Sequence, residues 1–230
     1  MIKYLFLDLD DTILDFKKAE SIAIRRTMSA FGLEPTDALA ARYSEVNERH
    51  WKALERGEMT RQQVLQGRFV MFFGEQGIAV DAAAVAKTYE TFLSQGHWFL
   101  PGAEETVKKK LYGRYKLYLA SNGTAVVQQG RMTSADLYPY FEESFVSQEL
   151  GHNKPSKEYF EAAFARIPGF EPEECLMVGD SLTSDILGGK NAGLRTVWVN
   201  PHHKTAPEHL KPDYEIERLA DLPALLEELA

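Results

Sequence analysis

Residues 3–9, KYLFLDL, are aromatic and aliphatic almost throughout, the pattern of a strand buried on both faces of a parallel sheet. After residue 15 the apolar positions change period. Ala19, Ile22, Ile24, Met28 and Phe31 recur at helical spacing, and Gly32 stands where a helix ends. The spacing predicts a second helix over 36–56, with Thr36 as its N-cap and Gly57 behind it. Thr60 and Gln63 have the spacing of a capping box that opens a third helix, ending near Gly74, and Asp81 opens a fourth that runs to about Gly96. No strand is predicted in this stretch.

Beyond HWFLPG, residues 97–102, short apolar runs alternate with helical periods. Strands are predicted at 116–120, 143–147, 175–178 and 196–199, with a short last one at 214–217. Helices are predicted at 103–112, 124–134, 156–167, 184–192 and 219–229. This alternation predicts an α/β fold, Rossmann-like and doubly wound, with a mostly parallel sheet covered on both faces. The helical block then reads as an all-helical domain inserted after the first strand. The expected division is a core of residues 1–15 and 98–230 and a cap of residues 16–97.

A chain of 230 residues can bury a well-formed core. Its net charge of -8 and pI near 5.3 argue against a nucleic-acid polymer as partner, since phosphate backbones are held by clusters of Lys and Arg. Cys175 is the only cysteine, which excludes an internal disulfide and a multi-thiolate metal site and fits a reducing compartment. The N-terminus lacks the basic and apolar regions of a signal peptide, and no run reaches the roughly 18 apolar residues of a membrane span. The expectation is a cytoplasmic protein with no membrane partner, a monomer or weak homodimer.

The chemistry gathers where strands end. Asp8 and Asp10 are separated by one residue, so along a strand both carboxylates face one crevice at the C-terminal end, where open α/β sheets bind ligands. Such a like-charged pair holds a cation, divides into acid and base, or both; an Asp-rich capping turn that includes Thr12 also accounts for it. Ser121, Asn122 and Gly123 lie between the second predicted strand and a helix, where a hydroxyl and free backbone N–H groups suit an anion such as phosphate. They also suit an ordinary N-cap. Lys154 precedes Pro155, which restrains its backbone at the top of the sheet. Asp180 follows the apolar run 175–178, Asp185 lies about one turn further on, and Gly179 permits close backbone approach.

Four strand ends in order with the same chemistry exceed what capping alone predicts, and together they read as a phosphate and metal site. Asp8, Asp10, Asp180 and Asp185 set four negative charges against Lys154, and a bound phosphate adds about two more. A cation is required. With only hard oxygen donors in the set, magnesium is the expected ion.

In this order the motifs resemble the haloacid dehalogenase-like superfamily of hydrolases: DLDDT as the first, Ser121 the second, Lys154 the third and GDSLTSD the fourth. The resemblance spans the chain, with the helical block as the family's inserted cap. It implies that Asp8 is the nucleophile that accepts the phosphoryl group and that Asp10 is the general acid and then base. It further implies that Asp8, the Asp10 backbone carbonyl and Asp180 hold magnesium, supported by Asp185, while Ser121 and Lys154 hold phosphoryl oxygens. Thr12, Asn122 and Gly123 are the accompanying substrate-binding candidates.

Trp51, the segment GEMTRQQVLQGRF (residues 57–69) and DILGGKNAGLRTVWVNPHH (residues 185–203) are similar to the branch of pyrimidine 5′-nucleotidases known as the YjjG type. That similarity implies a nucleoside monophosphate as the small phosphorylated substrate. Trp51, Phe69 and Trp98 are candidates to stack on its base, and Gln66 and Arg68 to hydrogen-bond it; for any single aromatic, core of the cap is the favoured account. The competing expectations are a phosphoglycolate or sugar-phosphate phosphatase and, from another class, a nonenzymatic phosphate-binding protein.

Overall fold

A computed structural model of the chain describes residues 1–229; Ala230, the last residue of the expected core segment, lies outside them. Six strands form one sheet: β1 (Tyr4–Leu7), β2 (Lys116–Ser121), β3 (Glu143–Val146), β4 (Cys175–Gly179), β5 (Arg195–Val199) and β6 (Tyr214–Ile216). Their order is β3-β2-β1-β4-β5-β6, and every neighbouring pair is parallel. The chain winds outward from β1 in one direction to β3 and then resumes at β4 on the other side of β1. That reversal opens a crevice beyond the C-terminal ends of β1 and β4.

Strand alternation sorts the sheet's side chains. Leu5, Leu7, Leu117, Leu119, Leu176 and Val178 bury into one face, and Tyr4, Phe6, Tyr118, Phe145 and Met177 into the other. Both faces are therefore apolar, and the buried carboxylates of the sheet lie beyond the C-terminal ends of β1 and β4.

The helices are α1 (Phe16–Ala30), α2 (Asp37–Glu55), α3 (Arg61–Glu75), α4 (Ala82–Leu93), α5 (Ala103–Glu105), α6 (Ala125–Ser134), α7 (Ser147–Leu150), α8 (Lys157–Phe164), α9 (Leu187–Asn191) and α10 (Leu222–Glu228). The first four start where the capping residues direct. Asp15, Thr36, Thr60 and Asp81 each accept a backbone N–H of the first turn through a side-chain oxygen, and Gln63 closes the capping box back onto Thr60. These four helices share a buried cluster built around Ile24, Met28, Tyr43, Phe69, Phe73 and Tyr89, into which Val127 of α6 also packs.

Three predicted elements differ in form. The helix expected over 103–112 is α-helical only in α5 and continues as a π-helix, Thr106–Leu111. The helix expected from 184 starts earlier, as a π-helix over Leu182–Ile186 that runs into α9. Ser147, expected at the end of a strand, instead opens the short helix α7. No helix among the described residues is long and apolar enough to cross a membrane.

The helical block meets the rest of the chain through two crossings that run side by side. Leu14 and Phe99 form an antiparallel bridge; Asp15 N–H donates to the Trp98 carbonyl at 2.8 Å and Leu100 N–H to the Ile13 carbonyl at 3.0 Å.

Candidate active site

The crevice at the end of β1 opens into a cavity of about 530 Å³ whose walls come from the sheet on one side and from α1, α2 and α3 on the other. Asp8 extends β1, its N–H still bonded to the Val178 carbonyl at 2.9 Å. Its carboxylate is buried and accepts from Lys154 Nζ at 2.8 Å. The same ammonium donates to the Ala120 carbonyl and to Asp185 Oδ1, both at 2.6 Å, so all three of its protons are aimed. Asn122 locks this lysine from behind. Its amide donates to the Lys154 carbonyl, and its oxygen accepts the Lys154 N–H, each at 2.8 Å.

Asp10 also lines the cavity and is gripped by two residues of α6 spaced one turn apart. Gln128 Nε2 donates to Asp10 Oδ2 at 2.8 Å and to Ser121 Oγ at 2.7 Å. Arg131, fully buried, donates through Nη1 to Asp10 Oδ1 and through Nε to the Gly96 carbonyl at 2.9 Å. Gln128 Oε1 and Arg131 Nη2 are buried without a partner among the described residues.

At the end of β4, Asp185 accepts the Ser181 N–H at 3.0 Å and the Ser184 hydroxyl at 3.2 Å besides Lys154. This approach depends on Gly179: a Cβ there would lie 2.7 Å from the Asp185 Cβ and nearer still to its carboxyl group. Carboxylate oxygens of Asp8, Asp180 and Asp185 lie within 4.8 Å of one another. A convergent set of hard oxygens fits a divalent cation of the magnesium or calcium type.

The electrostatics fit the same conclusion. Burial pushes the Asp8 carboxyl up to about 8, against the pull of Lys154, and the neighbouring charges of Asp185 and Asp10 add to the rise. Burial and the nearby carboxylates Asp185, Asp8 and Asp11 push Asp180 well up as well. Asp11, beside them, is pushed up to about 6 by burial and by Asp10. Burial draws Lys154 down, but Asp185 and Asp8 outweigh it and the net shift is upward. A cluster in which carboxylates resist ionisation while sharing one lysine is short of positive charge.

Not every candidate reaches the cavity. Ser121, Asn122 and Gly123 line it, as do Trp51 and Arg68. The Asn122 side chain, expected to meet substrate, is committed at both ends to the Lys154 backbone and acts as a positioning residue. Thr12 is wholly buried, its hydroxyl unpartnered, and is not on the wall. Phe69 is wholly buried between Tyr43 and Tyr89, with ring centroids at 5.5 and 5.3 Å, so it cannot stack on a ligand. Trp98 packs against the helical cluster under Lys18, and Gln66 lies one position around α3 from Leu65, whose side chain does line the cavity. Phe69 and Trp98 are therefore corrected from base contacts to packing of the helical block, and Gln66 is not on the cavity wall.

Other wall residues escaped the sequence reading. Glu20, Asn47, Gln128 and Arg131 are buried polar groups on the inner faces of helices, and the only local signal for them is polarity at positions whose spacing calls for apolar side chains. Two basic residues of the helical block reach the sheet side. Arg61 donates to the carbonyls of Asn122 and Gly123 at 3.1 and 3.2 Å, to Asn153 Oδ1 at 2.6 Å and to Ser147 Oγ, and burial draws its guanidinium down to about 10. Lys52 Nζ donates to Thr183 Oγ1 at 2.6 Å and Ser181 Oγ at 3.4 Å.

Comparison with known proteins agrees with this geometry. The chain is 37% identical over 220 residues to the pyrimidine 5′-nucleotidase PynA of Streptococcus pneumoniae, covering 96% of this chain and 93% of that one. It is 30% identical over 223 residues to the pyrimidine 5′-nucleotidase YjjG of Escherichia coli, covering 97% of each. The crystal structure of the HAD-hydrolase YfnB of Bacillus subtilis, bound to magnesium and showing interdomain movement, superimposes with a TM-score of 0.92 at 39% identity, over 98% of this chain and 99% of that one. The sequence model of the haloacid dehalogenase-like hydrolases matches residues 2–193, and the chain, an α/β protein with its acids and lysine gathered beyond the ends of β1, β2 and β4, belongs to that family.

Proposed function

We propose that this phosphoric monoester hydrolase acts on nucleoside 5′-monophosphates, with pyrimidine nucleotides preferred. The observation that carries the reading is one cavity with two ends. At its floor Asp8 sits against Lys154 with Asp10 also on the wall; its roof presents Trp51 and Arg68 from the helical block. Phosphate and leaving group are thereby met by different parts of the chain, a cap of residues 16–97 and a core of residues 1–15 and 98–230. The relatives PynA and YjjG, named as pyrimidine 5′-nucleotidases, support the choice of leaving group.

The chemistry follows from the side chains. An oxygen of the Asp8 carboxylate attacks phosphorus, forming an acyl phosphate as the bond to the nucleoside oxygen breaks. Asp10 gives its proton to that departing oxygen. Asp10, now a carboxylate, takes a proton from water as the water oxygen attacks phosphorus; phosphate leaves and Asp8 is restored. Lys154 and the Ser121 hydroxyl hold phosphoryl oxygens through both displacements, while Gln128 and Arg131 hold Asp10 at the reacting centre. Magnesium, for which YfnB gives the precedent, would be held by Asp8, Asp180 and the Asp10 backbone carbonyl with Asp185 behind them, and when bound it supplies charge neutralisation at the phosphoryl group.

The test is a panel of dUMP, dTMP, UMP, purine monophosphates, phosphoglycolate and ribose 5-phosphate, compared by kcat/KM with magnesium present. A base stacked on an aromatic is worth about 1–3 kcal/mol, so pyrimidine nucleotides are expected to exceed ribose 5-phosphate by roughly ten- to a hundredfold. Phosphoglycolate or ribose 5-phosphate as the best substrate refutes the nucleotidase reading and leaves a phosphatase. Tight binding of a monoester with no phosphate released refutes the enzyme.

A further inference from the structure

The roof of the cavity holds a buried charged network. Glu20 of α1 is 3% exposed, Asn47 of α2 is 3% exposed and Arg68 of α3 is 3% exposed, and they lie beside the apolar cluster of the four helices. Asn47 stands between the other two. Its Nδ2 donates to Glu20 Oε1 at 2.6 Å, and its Oδ1 accepts from Arg68 Nη1 at 2.6 Å. The same Oδ1 accepts from Trp51 Nε1 at 3.1 Å, which fixes the indole. Ser44 donates to Glu20 Oε2 at 2.6 Å. All five residues line the cavity.

Buried ionic groups of this kind commonly cost stability compared with apolar packing, and this one is not closed on itself. Arg68 Nε is buried with no partner among the described residues. Each Glu20 oxygen accepts one bond from the chain and has lone-pair capacity for another. The network therefore offers one orphan donor and spare acceptor capacity on the two sides of an amide. An amide is the group that satisfies both, as Asn47 does: N–H toward the carboxylate, C=O toward the guanidinium.

We propose that Glu20 and Arg68 read the amide-like edge of a pyrimidine ring that lies against Trp51, the carboxylate accepting from ring N3–H and the guanidinium donating to the adjacent carbonyl oxygen. The inference rests on the nucleotidase reading and narrows it. Uracil and thymine carry N–H at N3 and fit. Cytosine carries a lone pair there, which faces the Glu20 carboxylate without a proton between them, and adenine has no ring carbonyl for Arg68. Among pyrimidine nucleotides the enzyme is then selective for imide bases, and Asn47 is the residue that positions the two readers.

The experiment measures kcat/KM for dUMP, dCMP and ribose 5-phosphate in the full-length protein and in Glu20→Gln and Arg68→Met, each checked by thermal melting. Wild type is expected to favour dUMP over dCMP by at least about tenfold, the size of one discriminating hydrogen bond of about 1.4 kcal/mol. Glu20→Gln, whose amide both accepts and donates, is expected to bring the two within about threefold. Arg68→Met removes the donor to the carbonyl that both bases share and is expected to lower dUMP and dCMP together, at least tenfold more than ribose 5-phosphate. An unaltered dUMP to dCMP ratio in folded Glu20→Gln overturns the proposal, as does a loss in Arg68→Met that is equal for ribose 5-phosphate, which would assign the network to the sugar or to cap packing. Failure of the nucleotidase reading is seen separately, in wild type alone, as a ribose 5-phosphate efficiency equal to that of dUMP. If Glu20→Gln does not fold, Arg68→Met decides.

Discussion

Asp8 and Asp10 are both carboxylates two residues apart, yet their surroundings separate their roles. Asp8 is buried against a lysine that also serves Asp185; Asp10 keeps 29% of its side-chain surface and faces the cavity from a grip of Gln128 and Arg131. Replacement should separate them too. Asp8→Asn is expected to abolish turnover, because an amide does not form the acyl phosphate. Asp10→Asn is expected to lose roughly a hundred- to ten-thousandfold, the usual worth of general acid-base assistance. Steady-state phosphate release by both variants checks this, and near-normal turnover in Asp8→Asn would sink covalent catalysis. Asp8, Asp10, Ser121 and Asp180 were legible as candidates because each stands at or just past a strand end, where polarity interrupts an apolar run, and Lys154 and Asp185 because they follow β3 and β4 in the segments leading away from them. Gln128 and Arg131 were not. They meet Asp10 from 118 and 121 residues away, and only the packing of α6 over β1 brings them there.

At the level of elements, the crevice depends on backbone shape as much as on side chains. The π-helix Leu182–Ile186 follows β4 directly and turns Asp185 back over Gly179, so that this residue reaches both the Ser181 N–H and Lys154. Period-counting finds a helix there but not its wider first turns, since local spacing does not encode the tertiary pull of a buried lysine on an aspartate. The four N-caps of the helical block were readable because a cap is a local bond between neighbours. Gly179→Ala tests the close approach. The added methyl collides with the Asp185 carboxyl group, and overpacking of this kind typically costs about 1–3 kcal/mol. The expected outcome is a lower midpoint in urea with a rise in the magnesium concentration needed for half-maximal activity. Unchanged values for both would mean that Asp185 has room to relax and that its position is not set by the glycine.

Over the whole molecule, the helical block and the sheet each carry a buried cluster and share one cavity, with Val127 of α6 packed into the helical cluster and polar contacts beside it. The paired crossings at Leu14 and Phe99 form a short ribbon, while Arg61 and Lys52 reach from the helical block to the sheet side. Arg61 reaches the loop after β2 through the carbonyls of Asn122 and Gly123, the same loop whose Asn122 positions Lys154. The position of the helical block is thereby tied to the phosphate end of the site. This seam was invisible in the sequence, where Arg61 reads as an ordinary first-turn residue behind the Thr60 cap. We expect Arg61→Met to favour the open arrangement, because an apolar side chain leaves four acceptors of the opposite half without their donor. A closing motion excludes water and aligns the reacting groups, and loss of alignment by about 1 Å can cost a hundredfold. The variant is therefore expected to lose about ten- to a hundredfold in kcat/KM. Small-angle scattering of both proteins, with and without vanadate as a phosphate analogue, checks the cause: wild type should contract on binding and Arg61→Met should contract less. Equal radii of gyration in all four samples would remove closure from the cycle and leave Arg61 as a static strut.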